Sequence, residues 1–308
     1  MVGIKVKKRG LKDSFSDRVF FTINTILMIV FLFIMLYPLY FTLIASISDV
    51  NEVGLGNVYL FPKGFTLEAY QNVFINSQIW IGYRNTIVYT TGGVLYSLFI
   101  MLPAAYALSK KTLFARGVIT WFFLITMYFS GGIIPTYLLI RSLGLLNTPW
   151  AIILGGTSVW HLVVTRTYFS NAIPNELYES ASIDGAGEFT RFFRIALPLA
   201  TPIIAVMALY QMVGYWNSYF NALLYINKQE MFPLQLVLRQ ILIANQSMYI
   251  DPSMTFDLDM EETILKMARL AQSMRYALIF IASAPLLIAY PFVQKYFIQG
   301  IMIGSLKG

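Results

Sequence analysis

The chain alternates long apolar runs with short polar segments, and the runs are longer than the helices of a soluble core require. Six of them, at 19–47, 83–108, 118–140, 150–169, 202–226 and 276–297, are apolar and long enough to cross a hydrocarbon layer roughly 30 Å thick. A helix satisfies all of its backbone hydrogen bonds internally, as lipid demands. The pattern predicts an all-α, polytopic membrane protein with six transmembrane helices. The first run exceeds the apolar core of a signal peptide, and no small-residue cleavage site follows Pro38, so it reads as a retained span.

The polar segments between the runs differ in charge. Lys5, Lys7, Lys8, Arg9, Lys12 and Arg18 precede the first run, Lys110, Lys111 and Arg116 follow the second, and Arg166, Arg191 and Arg194 flank the segment 171–201. Lys295 and Lys307 mark the carboxyl end, whereas the short connection after 140 carries only Arg141. Short basic loops stay in the cytoplasm. The expectation is therefore a protein of the cell membrane with cytoplasmic tails at 1–18 and 300–308, a cytoplasmic loop at 171–201, a membrane domain over 19–299, and outer loops at 48–82 and 227–275.

Composition agrees: 57% of the 308 residues are hydrophobic and 12% charged, against about 25% charged in soluble domains. The net charge of +7 follows from the asymmetry of the loops and suits an anionic inner leaflet, not nucleic acid. With no cysteine, disulfide and thiolate chemistry are excluded. None of the 15 acidic residues lies in a predicted span, so the buried carboxylates on which proton-coupled carriers usually rely are lacking. The single histidine, His161, has no acidic neighbour or second histidine with which to form a metal site or catalytic pair. It reads as a hydrogen-bonded residue facing another helix or a wet cavity. No catalytic residue is expected, and no cofactor in this chain.

The segment at 179–202, ESASIDGAGEFTRFFRIALPLATP, is polar, acidic and glycine-bearing, between two apolar runs. Pro174 suits the start of a short helix, Glu176 and Glu179 favour its positive end, and Gly185 is placed to end it. Asp184, Gly185 and Ala186 form a compact turn that another backbone can approach. Phe189, Phe192, Phe193 and Ile195 continue as an amphipathic piece up to Pro198. Such a segment either docks a partner or lies on the inner leaflet, anchored by its phenylalanines and by Arg191 and Arg194.

Glu179, Ala181, Ile183, Asp184, Gly185 and Ala186, followed by Phe192, Ile195, Leu197, Pro198 and Pro202, resemble the EAA loop of permeases in bacterial binding-protein-dependent ABC importers, with Ser180 at a position usually held by alanine. Gly131, Gly132, Pro135, Tyr137, Leu143, Gly144, Leu145 and Asn147, together with the ending YPFVQKYFIQGIMIGSLKG, are similar to the carbohydrate branch of that family, of the MalG and LplC types. The resemblance implies the MetI-like fold of type I importers. It also implies a coupling role for Glu179, Ser180, Ala181, Asp184, Gly185 and Ala186, and contact of Gly304, Ser305, Lys307 and Gly308 with the ATPase. The implied partners are a second permease of MalF or LplB type, two copies of an ATPase that binds ATP and Mg, a solute-binding lipoprotein outside the cell, and an oligosaccharide. The loop at 227–275 would meet the lipoprotein.

Sugars offer hydroxyls and flat apolar faces, so their path needs amides beside aromatic rings. The fifth run supplies Gln211, Tyr215, Trp216, Asn217, Tyr219 and Asn221. The same residue types also serve as interface anchors and interhelical links, and in MalG-type relatives the corresponding half makes no sugar contact. The competing class is a stand-alone secondary carrier or channel, which the placement of the acidic residues disfavours. An intramembrane hydrolase would need more than His161.

Overall fold

The computed structural model describes residues 14–155, 157–247 and 274–292, with the isolated positions 272 and 294. Among them the regular structure is helical throughout. The helices are α1 (Phe15–Ser46), α2 (Val50–Gly54), α3 (Glu68–Ile75), α4 (Ser77–Ser109), α5 (Arg116–Tyr128), α6 (Ile133–Ser142), α7 (Trp150–Ile153), α8 (Val159–Asn171), α9 (Asn175–Ile183) and α10 (Glu188–Arg191). After a π-helical turn at Phe192–Ala196 come α11 (Leu197–Leu199), α12 (Thr201–Trp216), α13 (Tyr219–Tyr225), α14 (Leu234–Ser247) and α15 (Met274–Phe292).

The fold is organised around α4, which packs along α8, α12 and α14. Its buried face repeats small and polar residues, with Gly82, Thr86, Gly93, Ser97 and Ala105 among them. In lipid the hydrophobic effect does not drive helices together. Close backbone approach and interhelical hydrogen bonds do, and small residues permit both. Two apolar clusters lie along α4. One, near its start, includes Ile79, Tyr89, Ile152, Trp216, Leu234 and Leu278. The other, near its end, includes Met101, Tyr106, Phe169, Phe192 and Met207. The end of α4 also lies at the basic pole of the molecule, where the Nε atoms of Arg116 and Arg166 both donate to the Leu108 carbonyl, at 2.9 and 3.1 Å. The two cations thus cap the negative end of the helix dipole as well as marking a topology.

The helices do not confirm the expected count of six spans. Three helices, α1, α4 and α15, are each long and apolar enough to cross a membrane, and two bent pairs bring the number to five among the described residues. The expected run 118–140 divides into α5 and α6, which meet at 114°. Gly132, with φ +90°, occupies a conformation nearly restricted to glycine and breaks the helix. The run at 202–226 ends at Trp216, with α13 following as a separate piece. At its start, α12 meets the preceding 188–199 segment at 76°, because Pro202 cannot donate the bond that would carry a helix across the junction. The run at 150–169 divides into α7 and α8, each shorter than a hydrocarbon crossing.

α1 is exposed over residues 15–40 and joins the core only at Ile44, Ala45 and Ser46. A helix apolar on all sides suits lipid or another membrane subunit.

The stretch expected as an outer loop over 227–275 begins as part of the core. The side-chain amide of Asn85 donates to the carbonyls of Glu230 and Phe232, at 2.9 and 3.1 Å, Tyr89 donates to that of Met231 at 2.8 Å, and the Leu234 amide donates to Thr86 Oγ1 at 2.8 Å. Leu234, Leu236, Val237 and Leu238 are buried. Polar residues at the head of α4 satisfy the backbone of this segment, so it leaves water without orphaned groups. The acidic positions Asp251, Asp257, Asp259, Glu261 and Glu262 lie outside the described residues, as does the amino-terminal basic cluster of Lys5, Lys7, Lys8, Arg9 and Lys12.

Candidate functional site

The 179–202 segment forms an ordered knob at the basic pole. Pro174 stands just before α9, where its missing N–H costs nothing. At the other end Gly185 takes φ +76°, with the Asp184 amide donating to the Ser180 carbonyl at 3.0 Å and the Ala186 amide to that of Ala181 at 2.8 Å. This is the glycine-dependent closure that satisfies the last carbonyls of a helix. Glu179, Ser180, Asp184 and Gly185 are exposed, and Ala181 and Ala186 are half-buried. Ile183 and Phe189 stand 87% and 82% exposed on either side of the turn. Two large apolar side chains held out by a rigid turn suit a docking surface.

The knob is tied down by charge and by rings. Arg191 Nε donates to the Ala186 carbonyl at 2.9 Å, and its Nη1 pairs with Glu188 Oε1 at 3.0 Å. The other carboxylate oxygen of Glu188 accepts from the hydroxyl of Tyr106, on α4, at 2.9 Å. The Tyr106 ring lies 5.1 Å from Phe192, 5.9 Å from Phe169 and 6.2 Å from Tyr178 on α9. Lys110 Nζ sits 3.1 Å from the centroid of Tyr178, a cation over a ring face. Burial holds the Lys110 ammonium below its ordinary pKa. Burial, and then the negative charge of Glu188, push the Tyr178 phenol up to about 12.

The candidate pathway residues do not gather in one place. Tyr215 is buried, its hydroxyl donating to the Ile153 carbonyl at 2.9 Å and lying 3.1 Å from Ser97 Oγ, to which Thr157 donates. Trp216 is buried, and its indole N–H donates to the Ala282 carbonyl on α15 at 2.9 Å. Both hold helices together. Gln211 shares the buried face of Met207 and Tyr215, and its Nε2 has no hydrogen-bond partner among the described residues. Asn217 caps its own helix by donating to the Val213 carbonyl. Asn217 and Tyr219 are exposed and Asn221 is half-exposed, and the Arg239 guanidinium lies 5.8 Å from the Tyr219 ring. Tyr215→Phe is expected to lower stability by about 1–3 kcal/mol, since it strands the Ile153 carbonyl, without changing which sugar is imported. Thermal unfolding of the purified complex, paired with competition uptake, checks this.

His161 faces a neighbouring helix, as expected, its ring lying 5.3 Å from Trp160 and 6.0 Å from Tyr210. Its buried Nδ1, however, lacks the expected hydrogen bond among the described residues. The residues at the carboxyl end, Gly304, Ser305, Lys307 and Gly308, lie outside the described residues. Sequence reasoning missed Tyr106, Lys110 and Glu188 as a unit, because Tyr106 and Glu188 are 82 positions apart and nothing local signals their meeting.

A bundle of apolar helices with an exposed polar knob at its basic pole suits a membrane transport subunit. The sequence matches the family described as the inner membrane component of binding-protein-dependent transport systems over residues 78–303, and the chain belongs to that family. It is 40% identical over 276 residues to protein LplC of Bacillus subtilis strain 168, covering 89% of this chain and 90% of that one. It is 37% identical over 282 residues to the polygalacturonan/rhamnogalacturonan transport system permease protein YtcP of the same organism, covering 91% and 96%. Among solved structures it is similar, with a TM-score of 0.79 and 32% identity, to a chain in the crystal structure of a bacterial ABC transporter involved in the import of the acidic polysaccharide alginate, covering 92% of this chain and 99% of that one. The chain is therefore a permease subunit of an ABC importer and not itself an ATPase.

Proposed function

We propose that this chain forms one half of an oligosaccharide path across the cell membrane, driven by ATP hydrolysis in a separate subunit through the knob at Glu179, Ser180, Ala181, Asp184, Gly185 and Ala186. The observation that carries this reading is the exposed Ile183–Phe189 surface, held rigid by the Gly185 turn and by Arg191. The remaining parts are a second permease, two ATPase copies that bind ATP and Mg, and a solute-binding lipoprotein outside. Both termini and the knob face the cytoplasm, in keeping with their basic flanks. By the family resemblance, Gly304, Ser305, Lys307 and Gly308 contribute contacts to the ATPase. Asn217, Tyr219 and Asn221 are the surface offered to sugar. One relative is by name a polygalacturonan/rhamnogalacturonan permease and the solved neighbour belongs to an importer of the acidic polysaccharide alginate, and Arg239 beside Tyr219 is a cation suited to a uronate carboxylate.

The test is reconstitution of the permease pair, ATPase and lipoprotein in liposomes, with uptake measured from a mixture of neutral and uronate oligosaccharides. Uptake is expected to require internal ATP and to survive a proton uncoupler. Uptake that collapses with the uncoupler at constant ATP would instead mean a secondary carrier.

A further inference from the structure

Beyond the chain's own link from α8 to α9, the knob has two routes into the membrane domain, and they differ in stiffness. The covalent route runs through α10, the π-helical turn at Phe192–Ala196, α11 and the 76° bend before reaching α12. A π turn and a bend are the places where a helix gives. The second route crosses from Glu188 through its hydrogen bond to Tyr106 and enters α4, a single helix from Ser77 to Ser109. At its far end α4 holds the segment 230–234 through Asn85, Thr86 and Tyr89. One continuous helix, with Pro103 inside it one turn before Tyr106, thus joins the knob to the opposite face.

The Tyr106–Glu188 bond lies at the open edge of the cluster around Tyr106. A cleft of about 400 Å³ opens beside it, bounded by Pro103, Lys110, Leu113, Phe114 and Phe189. Phe192 packs α10 against the Tyr106 ring on one side, but on the cleft side no packed atoms hold it. The hydroxyl of Tyr106 ties it to α4 there, while the ion pair to Arg191 orients the carboxylate from within α10, and a hydrogen bond to a carboxylate is among the stronger kinds.

We infer that the Tyr106 hydroxyl and the Glu188 carboxylate form the mechanical joint through which movement of the knob reaches α4 and the far face. They are positioning residues: they touch neither sugar nor nucleotide. The inference rests on the ATPase-driven reading above. It places the force-bearing link in a polar contact between α4 and α10, apart from the docking residues themselves.

Because this chain has no cysteine, paired spin labels at Gln78→Cys and Ser142→Cys can report the far end in a complete complex whose other subunits have had their reactive cysteines replaced. Adding ATP and Mg to the unsubstituted joint should shift the distance distribution. In Tyr106→Phe, which keeps the ring stack, and in Glu188→Ala, which alters a partly exposed side chain, the ATPase should still copurify. The ATP-shifted population relative to the unshifted one should fall about tenfold in each, the scale of one lost charged hydrogen bond. A merely structural role would change yield or melting but not this ratio. If both variants retain the full shift, the joint is refuted. Gly185→Arg separates the two ideas: if it retains both the ATPase and the shift, the docking reading itself fails, whereas loss of the ATPase there, with full shifts in Tyr106→Phe and Glu188→Ala, would overturn the joint alone.

Discussion

Gly185→Arg is expected to cut coupled uptake on the order of 100-fold, the scale of losing a central contact in an interface, while the chain still inserts in the membrane. Gly185 is exposed, and a Cβ built there meets nothing within 4 Å, so the fold has room for a side chain. Two effects then act at the knob. The φ of +76° strains any L residue by about 1–2 kcal/mol. The long, charged side chain also projects from the apex of the turn, between Ile183 and Phe189, where a partner's groove must close. Gly185→Asn separates the two effects, because asparagine tolerates the left-handed region and is short. It should retain most uptake. Equal loss in both variants would trace the effect to the backbone and weaken the case for docking. The measurement is ATP-dependent uptake in proteoliposomes, normalised to permease content.

Gly93→Val should destabilise the membrane domain by about 3 kcal/mol or more, at or above the upper end of the range for overpacking a core. A Cβ at Gly93 would stand 2.4 Å from the Tyr215 ring. The ring cannot swing away cheaply, because its hydroxyl is bound to the Ile153 carbonyl and to Ser97. Either α4 and α12 separate, or those bonds break. Gly93→Ala should show a smaller loss of the same kind. Combined with Tyr215→Ala, it should cost clearly less than the sum of the two single changes, since the clash disappears with the ring. Thermal unfolding in detergent measures all of these, and additive losses would contradict the contact.

The membrane class and the knob were legible because their signals are local: long apolar runs, and a helix start, glycine stop and paired prolines within some 30 positions. The breaks were less so. Hydropathy summed over 118–140 does not respond to two glycines, yet the extended Phe129 and the positive-φ Gly132 together turn α5 away from α6. The core role of 230–238 was hidden because its buried partners, Asn85, Thr86 and Tyr89, sit on another helix nearly 150 positions earlier. Tyr215 and Trp216 have the chemistry of sugar contacts, but the hydrogen bonds that make them struts reach Ile153 and Ala282. Residue type is read from a sequence; which backbone a hydroxyl or indole N–H finds depends on tertiary approach.

The central claim is that the knob near Asp184 faces the cytoplasm and meets an ATPase. Asp184→Cys gives a chain with one thiol, at an exposed position. Treated with a membrane-impermeant maleimide in cells carrying the whole transporter, it should label only after permeabilisation, and a short bifunctional reagent should join it to the ATPase subunit. Labelling in intact cells, with no ATPase adduct, would contradict the account.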